Sequence, residues 1–184
     1  MKISIKEMVL VSLFTALTAI GAFLSIPLGD VPITLQSMFT ILAGLLLGPK
    51  LGSLSQLIYV LLGLSGVRIF AGFSGGPQTI LKPSFGFLIG FIFAALVVGK
   101  IAHKKNPLDI KKIFLATLVG TFIIYLFGLP YMYLVLNNVV GKSITFSTAI
   151  KTGCLIFLPG DMLKAVLSSL VASKVLQRVN IAKS

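Results

Sequence analysis

Leu158-Pro159-Gly160-Asp161-Met162-Leu163-Lys164 places an acid and a base three residues apart inside an apolar segment covering residues 148–175. A charged side chain at bilayer depth costs about 3 kcal/mol on insertion scales, so chains keep one mainly where it lines a cavity or meets a partner. The i, i+3 spacing puts both side chains on one helical face, where they either neutralise each other or present an acceptor and a donor to a polar solute. The plainer of these readings is a self-satisfied ion pair locking two helices. Pro159-Gly160, directly before the acid, removes a backbone donor and a side chain and predicts a kink or local unwinding at that point. Interrupted membrane helices bind solutes in many transporters, although an innocuous proline kink accounts for the same residues.

Composition makes this a membrane segment. Of 184 residues, 57% are hydrophobic and 11% charged, and the mean hydropathy is +1.07, well outside the range of soluble domains. The apolar stretches approach the roughly 20 residues that cross a bilayer as a helix, and the alternating pattern of a membrane barrel is absent. The fold expected is therefore an all-α integral membrane protein forming a single transmembrane domain over residues 1–184. Its six transmembrane helices are placed at about 7–26, 34–48, 51–64, 84–102, 113–136 and 148–179. The second and third are short, which implies tilt or incomplete spanning, and Gly48-Pro49-Lys50 is read as the tight turn between them. The first is read as a retained helix, because it is long and lacks a small-residue cleavage site. Residues 27–32 form a proline-bounded loop, and residues 65–83 a glycine-rich stretch.

Sixteen Lys and Arg against four Asp and Glu give a formal charge of +12. No basic stripe is interleaved with aromatics, so the cations report topology and contact with an anionic lipid bilayer rather than nucleic acid. Eleven fall on one side: Lys2, Lys6, Lys50, Lys100, Lys104, Lys105, Lys111, Lys112, Lys174, Arg178 and Lys183. Arg68, Lys82, Lys142 and Lys151 fall on the other, and Lys164 lies at depth. The positive-inside rule then places both termini in the cytoplasm of a multi-pass cell-membrane protein. The 27–32 and 65–83 loops face outward.

Catalysis is not indicated. There is no phosphate-binding loop, no metal-spaced His/Cys/Glu group and no nucleophile with a partnered base, and Asp30, Asp109 and Asp161 are isolated in the sequence. The single cysteine, Cys154, reads as a small buried hydrophobe, and His103 as a solvated loop residue. Gln36 and Tyr125 are lone polar groups that either satisfy a neighbouring helix or touch a ligand. Ser12, Thr15, Ala16, Ala19 and Ala22 form a face of small residues that suits close packing, against another helix of the chain or against a partner. Without a nucleotide site, uphill transport needs an ion gradient or a separate energising partner.

Several separated strings together resemble the BioY family, the substrate-binding S components of energy-coupling-factor biotin transporters. They are Val31-Pro32-Ile33-Thr34-Leu35-Gln36, Leu45-Leu46-Leu47-Gly48-Pro49-Lys50-Leu51-Gly52, Phe70-Ala71-Gly72-Phe73-Ser74-Gly75-Gly76-Pro77, Gly86-Phe87-Leu88-Ile89-Gly90-Phe91, and Leu158-Pro159-Gly160-Asp161 with Lys164. The resemblance covers residues 31–172, and its last string is the most specific. It implies a six-helix S-component fold that captures biotin from outside with no resident cofactor. Energy would come from an EcfT-type membrane coupling protein and two ATPase subunits that alone use ATP. It implies that Asp161 and Lys164 contact biotin, with Lys164 either pairing with the valerate carboxylate or holding the acid in place. It also implies that Gly72, Phe73, Ser74, Gly75 and Gly76 belong to a covering loop; Gln36 and Tyr125, from their polarity, and Arg68, as an outer cation of this chain, complete the candidate contacts. The chain departs from the family pattern at Lys82-Pro83-Ser84-Phe85-Gly86-Phe87, where a Gly-Pro-Thr-Gly-Gly-Tyr run is usual, and at Arg68, where proline is common. These two extra cations near the covering loop would help draw in a carboxylate. Segment one lacks a strict Ala-x-x-x-Ala repeat, which leaves Ala16 and Ala19 as the partner-facing candidates.

Overall fold

The computed structural model describes residues 3–103 and 110–178. Lys2, Lys104, Lys105, Asp109, Lys183 and the residue-179 end of the sixth segment lie outside the described residues. The helices are α1 (Ile5–Phe23), α2 (Gln36–Leu64), α3 (Phe85–Ala102), α4 (Ile110–Asn138), α5 (Phe146–Ile150) and α6 (Leu158–Arg178). Four of these, α1 to α4, are long and apolar enough to cross a membrane, and α5 with α6 makes a fifth, bent span.

α2 accounts for the sixth crossing. Gly48 has φ +81° and ψ −179° within it, a left-handed conformation that glycine adopts without a side-chain clash. The chain reverses there, leaving two arms at 36–47 and 49–64. In an unbroken helix residues 36 and 59 would stand roughly 34 Å apart, yet the Gln36 Nε2 donates to the Tyr59 hydroxyl at 2.7 Å. The turn sequence reading is thus correct in kind, with the reversal carried by Gly48 and the second arm starting at Pro49, a position where a missing N–H does no harm. His103, expected to be a solvated loop residue, is half-buried beside this turn. Its Nε2 lies 3.0 Å from the Leu45 carbonyl, so it ties the end of α3 to the hairpin.

Helix ends depart from the sequence reading for local reasons. α1 begins at Ile5 because Ser4 and Glu7 form a capping box, with the Glu7 N–H donating to Ser4 Oγ at 3.2 Å and the Ser4 N–H donating to Glu7 Oε2 at 2.7 Å. It stops at Phe23 because Ser25–Ile26 (β1) pairs antiparallel with Ile33–Thr34 (β2), a ribbon that the proline loop closes. The sixth segment breaks earlier than expected. α5 runs into a π-helical turn over Lys151–Leu155, the axis bends by 43°, and α6 restarts at Leu158. Pro159 and Gly160 are therefore not the kink but the first turn of the new helix, where proline fits.

Among the described residues, three apolar clusters hold the bundle. One, containing Phe14, Ile41, Leu45, Val98 and Ile113, fills the end near the Gly48 turn. A second joins Tyr59, Phe70, Phe85, Leu88, Phe91 and Ile124, and a third joins Val31, Met132, Leu136 and Phe157. Fully burying side chains of this size contributes about 1.5–3 kcal/mol each in water, but for helices already in lipid close packing matters more. Gly44 allows such approach, since a Cβ there would sit 2.6 Å from the Ala95 carbonyl oxygen. The outer surface stays apolar: Leu115, Phe122 and Leu126 of α4 and Leu163, Leu167 and Leu170 of α6 are exposed, as lipid-facing residues are. The small-residue face of α1 divides, with Thr15 and Ala22 buried in the bundle, Ala19 half-buried, and Ser12 and Ala16 exposed.

Candidate functional site

The site grows from the inward stripe of α6. Lys164, Ala165, Ser168, Ser169 and Ala172 are its buried positions, and the 3.6-residue period continues that stripe back to Asp161 in the first turn. An acid there also meets the positive end of the helix, worth about 0.3–1 kcal/mol, and its own N–H is held by the Phe157 carbonyl at 2.9 Å. Lys164 Nζ donates to Asp161 Oδ1 at 2.9 Å and lies 3.4 Å from Ser37 Oγ on the first arm of α2. The Tyr125 hydroxyl, from α4, donates to Asp161 Oδ2. Three elements thus converge on one ion pair, and both of its members have side chains 11% exposed.

What they are exposed to is a cavity of about 330 Å³. It lies between the second and third apolar clusters, whose Phe70, Phe85, Leu88, Phe91, Ile124 and Phe157 wall it, while the cluster near the Gly48 turn contributes nothing. An apolar wall with a few convergent polar groups is the ordinary make-up of a small-molecule site. Gln36 is 4% exposed, accepts from Thr34 Oγ1 at 3.0 Å and donates to Tyr59, which donates onward to the Ile69 carbonyl at 2.9 Å. Its place is fixed from both sides. At the mouth, Asp30 pairs with Lys142 at 2.5 Å, joining the 27–32 loop to the connection after α4.

Of the residues read as candidates, Asp161, Lys164, Gln36, Tyr125 and Ser74 line the cavity, and Arg68, Gly72, Phe73, Gly75 and Gly76 do not. Gly76 is tied back to α2, its N–H donating to the Gly63 carbonyl at 2.7 Å. Phe73 turns away and stacks on Phe23, with ring centroids 4.7 Å apart. Arg68 is exposed.

The BioY family model matches residues 1–181. The chain belongs to the BioY family. A protein of Pyrococcus horikoshii named as a probable biotin transporter BioY is 43% identical over 169 residues, covering 92% of this chain and 95% of that one. A Lysinibacillus sphaericus protein of the same name is 39% identical over 171 residues, 93% of this chain and 87% of its own length. Among solved structures, one described as the S-component for biotin from an ECF-type ABC transporter superposes with a TM-score of 0.72 at 31% identity, covering 94% of this chain and 92% of that one. This BioY-family chain therefore has the S-component fold and is a multi-pass membrane protein.

Several lining residues of this BioY-family chain carry no signal in the sequence. Asp30 reads as isolated, yet it opens onto the same cavity as Asp161. Ser37, Thr79 and Thr121 also line it, each a lone polar residue at a helix or turn, and so does Lys82, which the sequence marks only as an extra outer cation near the covering loop. Only the proline and glycine loops flanking Asp30 and Lys82 hint that both lie at one end of the bundle.

Proposed function

We propose that the chain is the substrate-capturing S component of an energy-coupling-factor transporter and that its ligand is biotin. It is a transport subunit and not an enzyme. The observation that carries this reading is a buried charged pair on the inner wall of a largely apolar cavity, in a chain of the BioY family. A carboxylate such as Asp161 accepts strongly from the paired N–H groups of a ureido ring, because charge-assisted hydrogen bonds are about twice as strong as neutral ones. The Phe85, Phe87 and Phe91 side suits a fused apolar ring and an aliphatic chain. Residues 65–83 would cover the bound ligand, and Phe70, Ala71, Ser74 and Thr79 of that stretch are already on the cavity.

Orientation follows from charge. Lys6, Lys50, Lys100, Lys111, Lys112, Lys174 and Arg178 against Arg68, Lys82, Lys142 and Lys151 supports cytoplasmic termini and a cavity that opens outward. The energising partners proposed are an EcfT-type membrane coupling protein and two ATPase subunits, which alone hydrolyse ATP; the chain itself needs no cofactor. Ser12 and Ala16, small and exposed on α1, offer the close-packing face for the membrane partner.

Calorimetry of the purified chain against a panel of vitamins tests the ligand. Selective binding of biotin supports the reading, and selective binding of another vitamin replaces biotin while keeping the S-component role. Liposome uptake with and without the coupling protein and ATPases tests the partners: concentrative uptake by the chain alone, insensitive to ATP, would refute partner dependence and favour an ion-coupled carrier with Asp161 as its proton site.

A further inference from the structure

The charges around the cavity do not balance evenly from floor to mouth. At depth, Lys164 Nζ is committed to Asp161 at 2.9 Å with Ser37 behind it, and the second oxygen of Asp161 accepts from Tyr125. That group is neutral as a whole. A ligand carboxylate brought against it would set two anions on one ammonium while losing its own hydration, and a buried charge without a full partner is heavily penalised. At the mouth, Asp30 is neutralised by Lys142. Lys82 is then the one cation lining the cavity with no ion pair among the described residues.

Its backbone is fixed although its side chain is exposed. The Lys82 N–H donates to the Thr79 carbonyl at 3.0 Å, and the Lys82 carbonyl accepts from the Phe85 N–H at 3.0 Å. The 3-10 turn that leads into it (Pro77–Leu81) is tied to α4 by the Tyr131 hydroxyl, which donates to the Ile80 carbonyl at 2.5 Å. The ammonium is thus delivered from a rigid pedestal to the solvated end of the cavity. An anion held there keeps part of its hydration.

We propose that Lys82 takes the carboxylate of the captured acid, so that the ligand lies with its anionic end at the mouth and its neutral polar end at Asp161. Lys82 is then the residue that selects a monoanion over its neutral analogue. This rests on the biotin reading for the identity of the acid. The test is calorimetry and stopped-flow binding of biotin and of its neutral primary amide to the intact chain, as wild type, Lys82→Ala and Lys82→Arg.

Lys82→Ala should weaken biotin about fivefold, the upper range for an exposed ion pair, chiefly by faster dissociation. It should leave the amide unchanged and abolish the salt dependence of biotin binding, and Lys82→Arg should restore the wild-type preference. Equal weakening of acid and amide, or no change in either, would overturn the assignment, as would a loss confined to the association rate, which marks steering rather than contact. A wild type that binds neither compound would instead overturn the biotin reading, and with it this role of Lys82.

Discussion

Two polar clusters sit inside this bundle, and they are built to opposite ends. Around Gln56, which is 0% exposed, every group is spoken for. Its Oε1 accepts from Thr40 at 3.0 Å, and its Nε2 donates to Thr18 Oγ1 at 3.2 Å and to Ser55 Oγ at 3.1 Å. Thr18 passes its own proton to the Phe14 carbonyl at 2.9 Å, and Thr15 crosses from α1 to the Ser55 carbonyl at 2.9 Å. The cluster is uncharged and closed, with no opening onto the cavity. Around Asp161 the groups are charged, drawn from α2, α4 and α6, and open on one side. A closed neutral network stitches helices together, whereas an open charged one keeps hydrogen-bonding capacity for a ligand.

The largest effect expected from breaking this contrast is at Lys164. Lys164→Met strands Asp161, and removing one partner of a buried pair costs about 3–5 kcal/mol; water in the cavity keeps the loss near 3. Thermal unfolding in detergent reads it. Adding Asp161→Asn to the same chain should recover most of the stability and none of the biotin affinity. If affinity recovers along with stability, the open cluster is a structural lock like the closed one.

Asp161→Asn alone keeps an oxygen for Lys164 and so spares the fold, yet it removes the charge that strengthens a hydrogen bond from the ligand. Biotin affinity should fall by about 1.5–3 kcal/mol, the usual worth of a bond to a charged group. Calorimetry measures it directly. Unchanged affinity in a folded variant would take Asp161 out of the site.

The open cluster was largely legible in the sequence and the closed one was not. Asp161 and Lys164 announce themselves because charge within an apolar run is rare, and i, i+3 spacing fixes their common face. Gln56, Thr40 and Thr18 carry no such mark, since neutral polar residues are ordinary in membrane helices and their convergence depends on the Gly48 reversal. The same limit applies to Asp30, and Lys82 was legible only as an extra outer cation; both reach the cavity through β1–β2 pairing and a 3-10 turn that no periodicity encodes. Pro159-Gly160 misleads for a definable reason. The pair was expected to break the helix, but the π-helical turn upstream places proline in a first turn, where its missing N–H is harmless. The small-residue stripe of α1 was legible as a packing face; its division between an inward Thr15 and an outward Ala16 required the bundle.

Gln56→Leu probes the closed cluster in turn. It deprives Thr40 of an acceptor and Thr18 and Ser55 of a donor, yet Thr18 and Ser55 already donate to the Phe14 and Gly52 carbonyls, and the Thr40 hydroxyl can turn to a carbonyl one helical turn back. The stability loss should be about 1 kcal/mol, in line with interhelical hydrogen bonds in membranes, and biotin affinity should be unchanged. Paired unfolding and binding measurements separate the two, and a large affinity loss would mean that the clusters are coupled through the α2 hairpin.

The smallest expected effect belongs to Tyr125→Phe, and it sharpens the contrast most finely. The ring keeps its edge contact with Phe87, with centroids 6.2 Å apart and planes at 84°, so packing is preserved and only the hydroxyl that donates to Asp161 is removed. In a closed cluster that loss would leave an acceptor dry, at about 1–3 kcal/mol of stability. In an open one, water from the cavity takes the vacated position, and stability should scarcely change. What is lost is the orientation of the carboxylate, which one donor fewer now holds toward the ligand; the expected result is a fall in biotin affinity of about 0.5–1 kcal/mol, the lower range for a single hydrogen bond. Calorimetry and thermal unfolding on the same preparation decide it. A stability loss without an affinity loss would show that Tyr125 belongs to the scaffold and that the cavity is closed at that wall.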